Sequence, residues 1–338
     1  LNPFSLIMTQ TSSADSRPVI VIGGPTASGK SAFAVDVAVR FGGTVINGDS
    51  MQLYADLDVL TARPPADDLA RVPHRLYGVL PAAERGSAAK WRALALDEIA
   101  AAHAAGRLPV VVGGTGLYLR ALMQGLCDVP DIPDAIRTAA HERLDALGGE
   151  AFRAELVARD PDSARLNPGD TTRLTRAWEV LEATGRSLSA WQRDAADGAP
   201  PGLAFLVAVI DPPRSDLYAA GDGRFLTMVK RGALDEVRRL DALGLDPALP
   251  AMKALGVPEL RAHLAGTLSL DDAVAQAQQA TRHYAKRQVT WFRHQLASRP
   301  PAAAVHGCHT LTSLYAPERS DAIVRVIDTI VRDHGIKE

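Results

Sequence analysis

Val19-Ile20-Val21-Ile22-Gly23-Gly24-Pro25-Thr26-Ala27-Ser28-Gly29-Lys30-Ser31 decides how this chain begins to fold. A β-branched run passes into a glycine loop, then into Lys-Ser and the helix-compatible segment Ala32 to Phe41. Gly24 to Ser31 fits the spacing G-x-x-x-x-G-K-[ST], in the strand-to-helix setting that this pattern requires. Glycines let the backbone close around an anion, and N–H groups then converge at a helix N-terminus. The candidate polyphosphate site is therefore Gly24, Pro25, Thr26, Ala27, Ser28, Gly29, Lys30 and Ser31. Lys30 adds a full positive charge, and the Ser31 hydroxyl is a candidate ligand for Mg²⁺. The loop specifies a polyphosphate; by itself it specifies neither a nucleotide nor hydrolysis.

Working outward, Val45–Asn47 and Leu108–Val112 read as further buried strands, with helical stretches at Trp91 to Ala105 and Leu117 to Gly125. Strands alternating with helices predict a phosphate-loop α/β fold, a parallel sheet with helices on both faces. Ligands of such sheets gather at the carboxyl ends of the strands, so the loops after Ile22, Asn47 and Val112 should share one cleft. Prolines at Pro130 and Pro133 mark a linker, and Asp134 to about Ala196 carries helical patterns only. Asp170 is placed to cap a helix reaching about Thr184. After Pro200-Pro201-Gly202 the apolar run Leu203 to Ile210 restores the sheet. The expected organisation is a disordered extension over 1–17, an α/β core from 18–130 and 203–338 with a helical C-terminal part, and an all-helical insertion over 131–202. Leu270 to Leu296 reads as one long helix carrying Arg282, Lys286, Arg287 and Arg293.

The chain has 338 residues, 47% hydrophobic, a net charge of −2 and two cysteines. It can bury a sizeable core, and any nucleic-acid partner must be met by local basic patches rather than bulk charge. Cys127 and Cys308 form no C-x-x-C pair, which argues against a zinc ribbon and suits a reducing cytoplasm. No apolar run approaches a membrane span, and the N-terminal residues lack the basic region of a signal peptide.

Beyond the loop, several residues carry chemistry. Asp49 follows the second strand, where a carboxylate serves as a base or metal ligand, or caps a helix with Ser50. Gln52 and Tyr54 suit either the cleft or plain surface. Gly113-Gly114-Thr115-Gly116 either admits a ligand to the backbone or makes a tight turn, with the Thr115 hydroxyl in the cleft. Arg224 stands on a glycine-weakened helix. The basic residues of the last helix interleave with Tyr284, Trp291 and Phe292, which suits stacked bases, or equally core aromatics beside solvated cations.

Taken together, Gly24 to Ser31, Asp49-Ser50 with Gln52 and Tyr54, Pro73-His74-Arg75, Gly113 to Tyr118 and Ala285 to Arg293 resemble the tRNA dimethylallyltransferase family of bacterial type. The likeness covers about Pro18 to Arg299, with the motifs in the family's order. It implies transfer of a five-carbon allyl group from dimethylallyl diphosphate to N6 of the adenosine on the 3′ side of the anticodon, with Mg²⁺ as cofactor. It implies Asp49 as general base, Thr115 beside the amine and Arg224 on the diphosphate. It further implies tRNA anticodon stem-loop contacts from Asp49, Ser50, Met51, Gln52, Thr115, Arg137, Thr172, Arg173, Leu174, Thr175, Arg176, Lys253, Lys286, Arg287 and Arg293, in a cytoplasmic monomer. The chain departs from the family pattern at Leu60 and Arg63, where a small residue and a lysine are usual, and at Ala220 and Gly221 ahead of Arg224. The competing readings are a phosphate-loop kinase of a small metabolite, a prenyltransferase acting on free adenine nucleotides, and a nucleotide-hydrolysing RNA-binding switch.

Overall fold

A computed structural model describes residues 16–127, 129–194, 198–297 and 305–315. Six strands form one sheet: β1 Arg17–Gly23, β2 Thr44–Asn47, β3 His74–Arg75, β4 Pro109–Gly113, β5 Leu203–Ile210 and β6 Val305–Leu311. Their order is β3-β2-β4-β1-β5-β6, and every pairing is parallel. The helices are α1 Lys30–Arg40, α2 Ala66–Arg71, α3 Ala88–Ala104, α4 Gly116–Gln124, α5 Asp134–Arg159, α6 Thr171–Thr184, α7 Leu188–Asp194, α8 Arg214–Lys230, α9 Ala233–Asp241, α10 Val257–Leu264 and α11 Leu270–Phe292. A single π-type turn, Arg293–Ala297, extends α11.

The alternation of strand residues divides the core in two, because successive side chains leave opposite faces of a sheet. Val19 and Val21 of β1 join Ile46, Val111, Phe205 and Val207 on the face that α3, α4 and α8 to α11 cover. Ile20 and Ile22 join Val45, Val110, Val112 and Leu206 on the other face, against Phe33 and Val37 of α1. Both sides being buried, these strands read as continuous apolar runs.

Two edge strands were not foreseen. β3 has only two residues, too few for any periodicity. β6 interrupts its pattern with Gly307, and a bulge in its pairing carries the register from Phe205–Val305 to Leu206–Gly307. The C-terminal part is therefore not helical throughout. Arg17, expected in a disordered extension, opens β1 and donates its N–H to Gly202 O at 2.9 Å; residues 1–15 lie outside those described.

The chain divides into two units. One comprises Leu1–Gln124 with Ala199–Glu338; the other is Gly125–Gly198. The second unit is helical among its described residues. Asp170 accepts from Arg173 N at the start of α6 as its sequence predicts, and α5 breaks at Gly148, whose φ is 72°. Leu144, Phe152, Leu156, Leu174, Ala177 and Leu181 form a core of its own.

Gly113 closes β4 where a Cβ would overlap the carbonyl of Gly48. Backbone cannot rotate away as a side chain can, so Gly113→Ala should cost about 3 kcal/mol or more in urea unfolding. Gly223→Ala is the contrasting case: this exposed site in α8 has open space around it, and the substitution should stabilise by roughly 0.5–1 kcal/mol.

Candidate active site

The loop after β1 adopts the conformation its glycines permit. Gly29 caps α1 at φ 87°, a left-handed value open to glycine, while Ala27 takes φ 62° without that freedom. A Cβ on Gly29 would lie 2.8 Å from Tyr315 O, since Tyr315 crosses beneath the loop and donates its N–H to Ser28 O at 3.1 Å. The first intrahelical bond of α1 runs from Phe33 N to Gly29 O, so the amides before it precede the hydrogen-bonded ladder. The Ser28 hydroxyl is fully buried within this loop and has no protein partner. Thr26 behaves differently from expectation. Its N–H donates to Gln288 Oε1 at 2.9 Å, so it is not one of the free anion-facing amides.

Lys30 Nζ donates to Pro25 O at 3.3 Å, folding the ammonium back under the loop. Burial lowers its pKa to about 8; the carboxylate of Asp49 opposes the shift and the Arg224 cation adds to it. Arg224, from α8, donates to the Thr26 hydroxyl. Burial draws its pKa down as well, with Asp49 opposing. Two cations and one carboxylate therefore share the mouth of the loop.

Asp49 sits on a turn organised by Asn47, the last residue of β2. Asn47 Oδ1 accepts from Asp49 N at 2.8 Å, while its Nδ2 donates to Asp49 O at 2.9 Å and Leu76 O at 3.0 Å. One oxygen of Asp49, Oδ1, accepts from Met51 N at 3.0 Å. The carboxylate thus holds the backbone at the start of the short turn Met51–Leu53 through Oδ1, and Oδ2 is left for other chemistry. Thr115, after β4, accepts from Ser50 N at 2.9 Å and donates to Ser50 Oγ at 3.2 Å. The loops after β1, β2 and β4 do meet, as strand order predicts.

One face of α11 lies across the ends of β1 and β4. Phe292 packs where a Cβ on Gly23 would approach to 2.6 Å, Trp291 covers Gly116, and Gln288 reaches Gly114. Tyr284 bonds to the Thr115 side chain; burial first, and the charge of Asp49 second, push its phenol upward. Trp291 and Phe292 are therefore packing groups rather than base-stacking platforms. Between these parts lies a cavity of about 320 Å³. Thr26, Asp49, Ser50, Arg224, Tyr284 and Arg287 line its polar side, and Leu60, Phe225, Met228, Ala254 and Leu255 its apolar side.

Of the other expected residues, Met51 and Lys253 also border the cavity. Gln52 turns away, donating Nε2 to Thr61 O and Ala62 O at 2.9 and 3.0 Å. Lys286 is exposed on α11 and does not reach the cavity; Arg293 pairs with both oxygens of Asp211 at 2.6 and 3.1 Å. Arg137, Thr172, Arg173, Leu174, Thr175 and Arg176 belong to the helical unit. There Leu174 is wholly buried and Thr175 bonds back to Thr171 O at 2.9 Å, so their side chains serve the helix core. Arg173 pairs with Asp170 at 3.3 Å and Arg176 with Glu179 at 3.5 Å. Arg137 donates to Ile132 O at 3.2 Å.

Sequence reasoning passed over Asn47, Gln288 and Glu236. The buried Glu236 accepts from the backbone N–H groups of Asp58, Val59 and Leu60 at 2.6–2.9 Å and so holds the cavity wall. Only Asn47 carried a local signal, an amide two residues before an aspartate at a strand end.

The profile of the IPP transferase family matches residues 52–295. This chain belongs to that family. IPP transferase relatives share most of its length. A tRNA dimethylallyltransferase of Rhodospirillum centenum is 66% identical over 283 residues, covering 83% of this chain and 90% of the relative. One from Paramagnetospirillum magneticum is 51% identical over 97% of this chain and 98% of its own. Among solved structures, a eukaryotic dimethylallyltransferase acting on tRNA superposes with TM-score 0.77 at 26% identity, over 96% of this chain and 81% of that one. The tRNA isopentenylpyrophosphate transferase of Bacillus halodurans gives 0.64 at 30%, over 94% and 97%.

With Lys30 titrating near 8, its charge is complete below that value and lost above it. Affinity for inorganic diphosphate, measured by calorimetry, should fall as pH rises from about 7 through about 9. Lys30→Met should remove that dependence along with most of the binding. The same burial disfavours the charged side chain in the folded state, so the variant should also melt at a higher temperature than the parent below pH 8.

Proposed function

We propose that this IPP transferase moves a dimethylallyl group from dimethylallyl diphosphate to N6 of the adenosine beside the anticodon, on its 3′ side, and releases diphosphate. The observation that carries the reading is that Arg224, the half-bonded Asp49 and Thr26 of the anion loop line one cavity, with Lys30 in the same loop. A kinase would use the same loop to transfer phosphorus. Here the cations Lys30 and Arg224 stand where negative charge accumulates on a departing diphosphate, and Asp49 stands where an acceptor loses a proton.

In the step, a bond forms between N6 and the allylic carbon, and the carbon–oxygen bond to diphosphate breaks with its electron pair. The exocyclic amine of adenine is a weak nucleophile, because its lone pair is delocalised into the ring. Its proton passes to Asp49, whose Oδ2 is the oxygen not used by Met51 N. Thr115, held by Ser50 and Tyr284, orients the amine. The apolar wall of Leu60, Phe225 and Met228 suits a hydrocarbon and excludes water from the reacting carbon.

Mg²⁺ fits this site as a companion of the diphosphate. Ser31 is exposed at the start of α1, and no cluster of His, Cys, Asp or Glu among the described residues would hold a metal alone. Such an ion keeps water and substrate phosphates as its main ligands, and its chemistry is to neutralise the leaving group. On the RNA side, Arg137, Arg173 and Arg176 of the helical unit and Lys253 and Arg287 at the cavity mouth are the proposed contacts. The Arg173–Asp170 pair is a surface pair worth about 0–1 kcal/mol, so a phosphate can displace it, whereas Arg176 pairs with the buried Glu179. The adenosine leaves its stack to enter the cavity, a cost of about a few kcal/mol that these contacts offset. We assign the reaction to a cytoplasmic, monomeric protein.

The test incubates protein with unmodified tRNA, dimethylallyl diphosphate and Mg²⁺, and seeks prenylated adenosine by mass after digestion to nucleosides. Phosphate appearing on an acceptor instead would point to the kinase. Asp49→Asn should lower turnover by at least ~10²-fold while diphosphate affinity stays within a few-fold. Loss of that affinity would make Asp49 a binding group. Replacing Arg173 and Arg176 together by alanine should raise the tRNA KM and reduce its salt slope by about 2.

A further inference from the structure

Gln288 lies on the face of α11 that crosses the site, and it is 5% exposed. Its amide joins two loops that are far apart in sequence. Oε1 accepts from Thr26 N at 2.9 Å, and Nε2 donates to Gly114 O at 2.8 Å. The orientation is forced, since an amide N–H can only donate and a carbonyl can only accept. A Cβ at position 114 would collide with Nε2, so the glycine makes room for the amide where it sits.

The two loops so joined carry opposite halves of the chemistry. Thr26 belongs to the anion loop, and its hydroxyl receives Arg224. Gly114 precedes Thr115, which bonds Ser50 beside Asp49. We infer that Gln288 is a positioning residue that sets the distance between the diphosphate loop and the carboxylate turn, and so between leaving group and base. It touches neither reactant. It acts through the backbones that hold them, and the inference rests on the proposed prenyl transfer.

Rigid spacing matters because a displacement of about 1 Å costs on the order of 10²-fold in rate. A clamp of this kind should therefore act on turnover more than on binding. Gln288→Met keeps the length and buries the same volume but makes neither hydrogen bond. It should lower kcat by ~30–100-fold while the KM for dimethylallyl diphosphate and the KM for tRNA each change less than ~3-fold. Gln288→Glu separates clamp from packing. The new carboxylate still accepts from Thr26 N, but it donates to Gly114 O only when protonated. Its kcat should therefore rise as pH is lowered from 8 to 6 by more than the parent's, whose own gain in that range comes from Lys30.

Circular dichroism and melting accompany each variant, so that the folded fraction normalises the rates. A Gln288→Met enzyme with kcat within ~3-fold of the parent would overturn the inference. So would a Gln288→Glu profile parallel to the parent's, and this second measurement decides the matter if the methionine variant fails to fold. A parent enzyme that forms no prenylated adenosine would sink the functional reading, and the clamp with it. An active parent beside unaffected variants sinks the clamp alone.

Discussion

Close contact between one helix and the ends of two strands is the constraint on which this site depends. A helix side chain presses directly onto a neighbouring backbone where that backbone offers no Cβ. Gly23, Gly114 and Gly116 provide those places for Phe292, Gln288 and Trp291 of α11. The helix thereby ties the ends of β1 and β4 together from above, while the parallel pairing of β1 with β4 and of β4 with β2 ties them from below. Trp291 and Phe292 contribute packing, and the amide of Gln288 supplies direction. A hydrophobic contact alone would hold the loops near each other without fixing their register.

Electrostatics in the cavity follow from that enclosure. Lys30 and Arg224 are drawn below their usual pKa values by burial, and the charge of Asp49 partly restores them. Such a cluster is unfavourable until an anion arrives, which is how a site stores affinity for a highly charged ligand. Ser28, a buried hydroxyl without a partner inside the same loop, adds to the same cost. Stability is thus lowered at the place where binding energy is needed.

The helical unit works by another principle. Several of its arginines pair with acids: Arg173 with Asp170, Arg143 with Glu155 and Arg193 with Asp162, and Arg176 with the buried Glu179. Pairing with neighbouring acids holds these arginines in place, in a segment whose acids outnumber its bases. It also suits recognition by placement, because a phosphate in the right position replaces one acid while a random polyanion gains little.

Much of this was legible in the chain. Four strands, the long last helix and the capped α6 followed from short continuous apolar runs, helical spacing and an Asp at the cap position, all of which are local signals. Gly24 to Ser31 announced a polyphosphate because backbone geometry there is dictated by residues in contact along the chain. Edge strands β3 and β6 escaped notice, the first for its length and the second for its glycine and bulge. Leu174 and Thr175 looked like part of a binding segment, and only the packing of α6 showed which of its faces is buried. Glu236 and Gln288 gave no sign of their roles, since each acts on backbone 176 and 262 residues away. Sequence by itself determined the anion loop, the parallel sheet and the family, because these rest on short-range patterns. Tertiary structure alone decided which oxygen of Asp49 is free, which amide of the loop is taken, and how far the loop stands from the carboxylate. Those are distances between segments remote in the chain, and distance is set by packing.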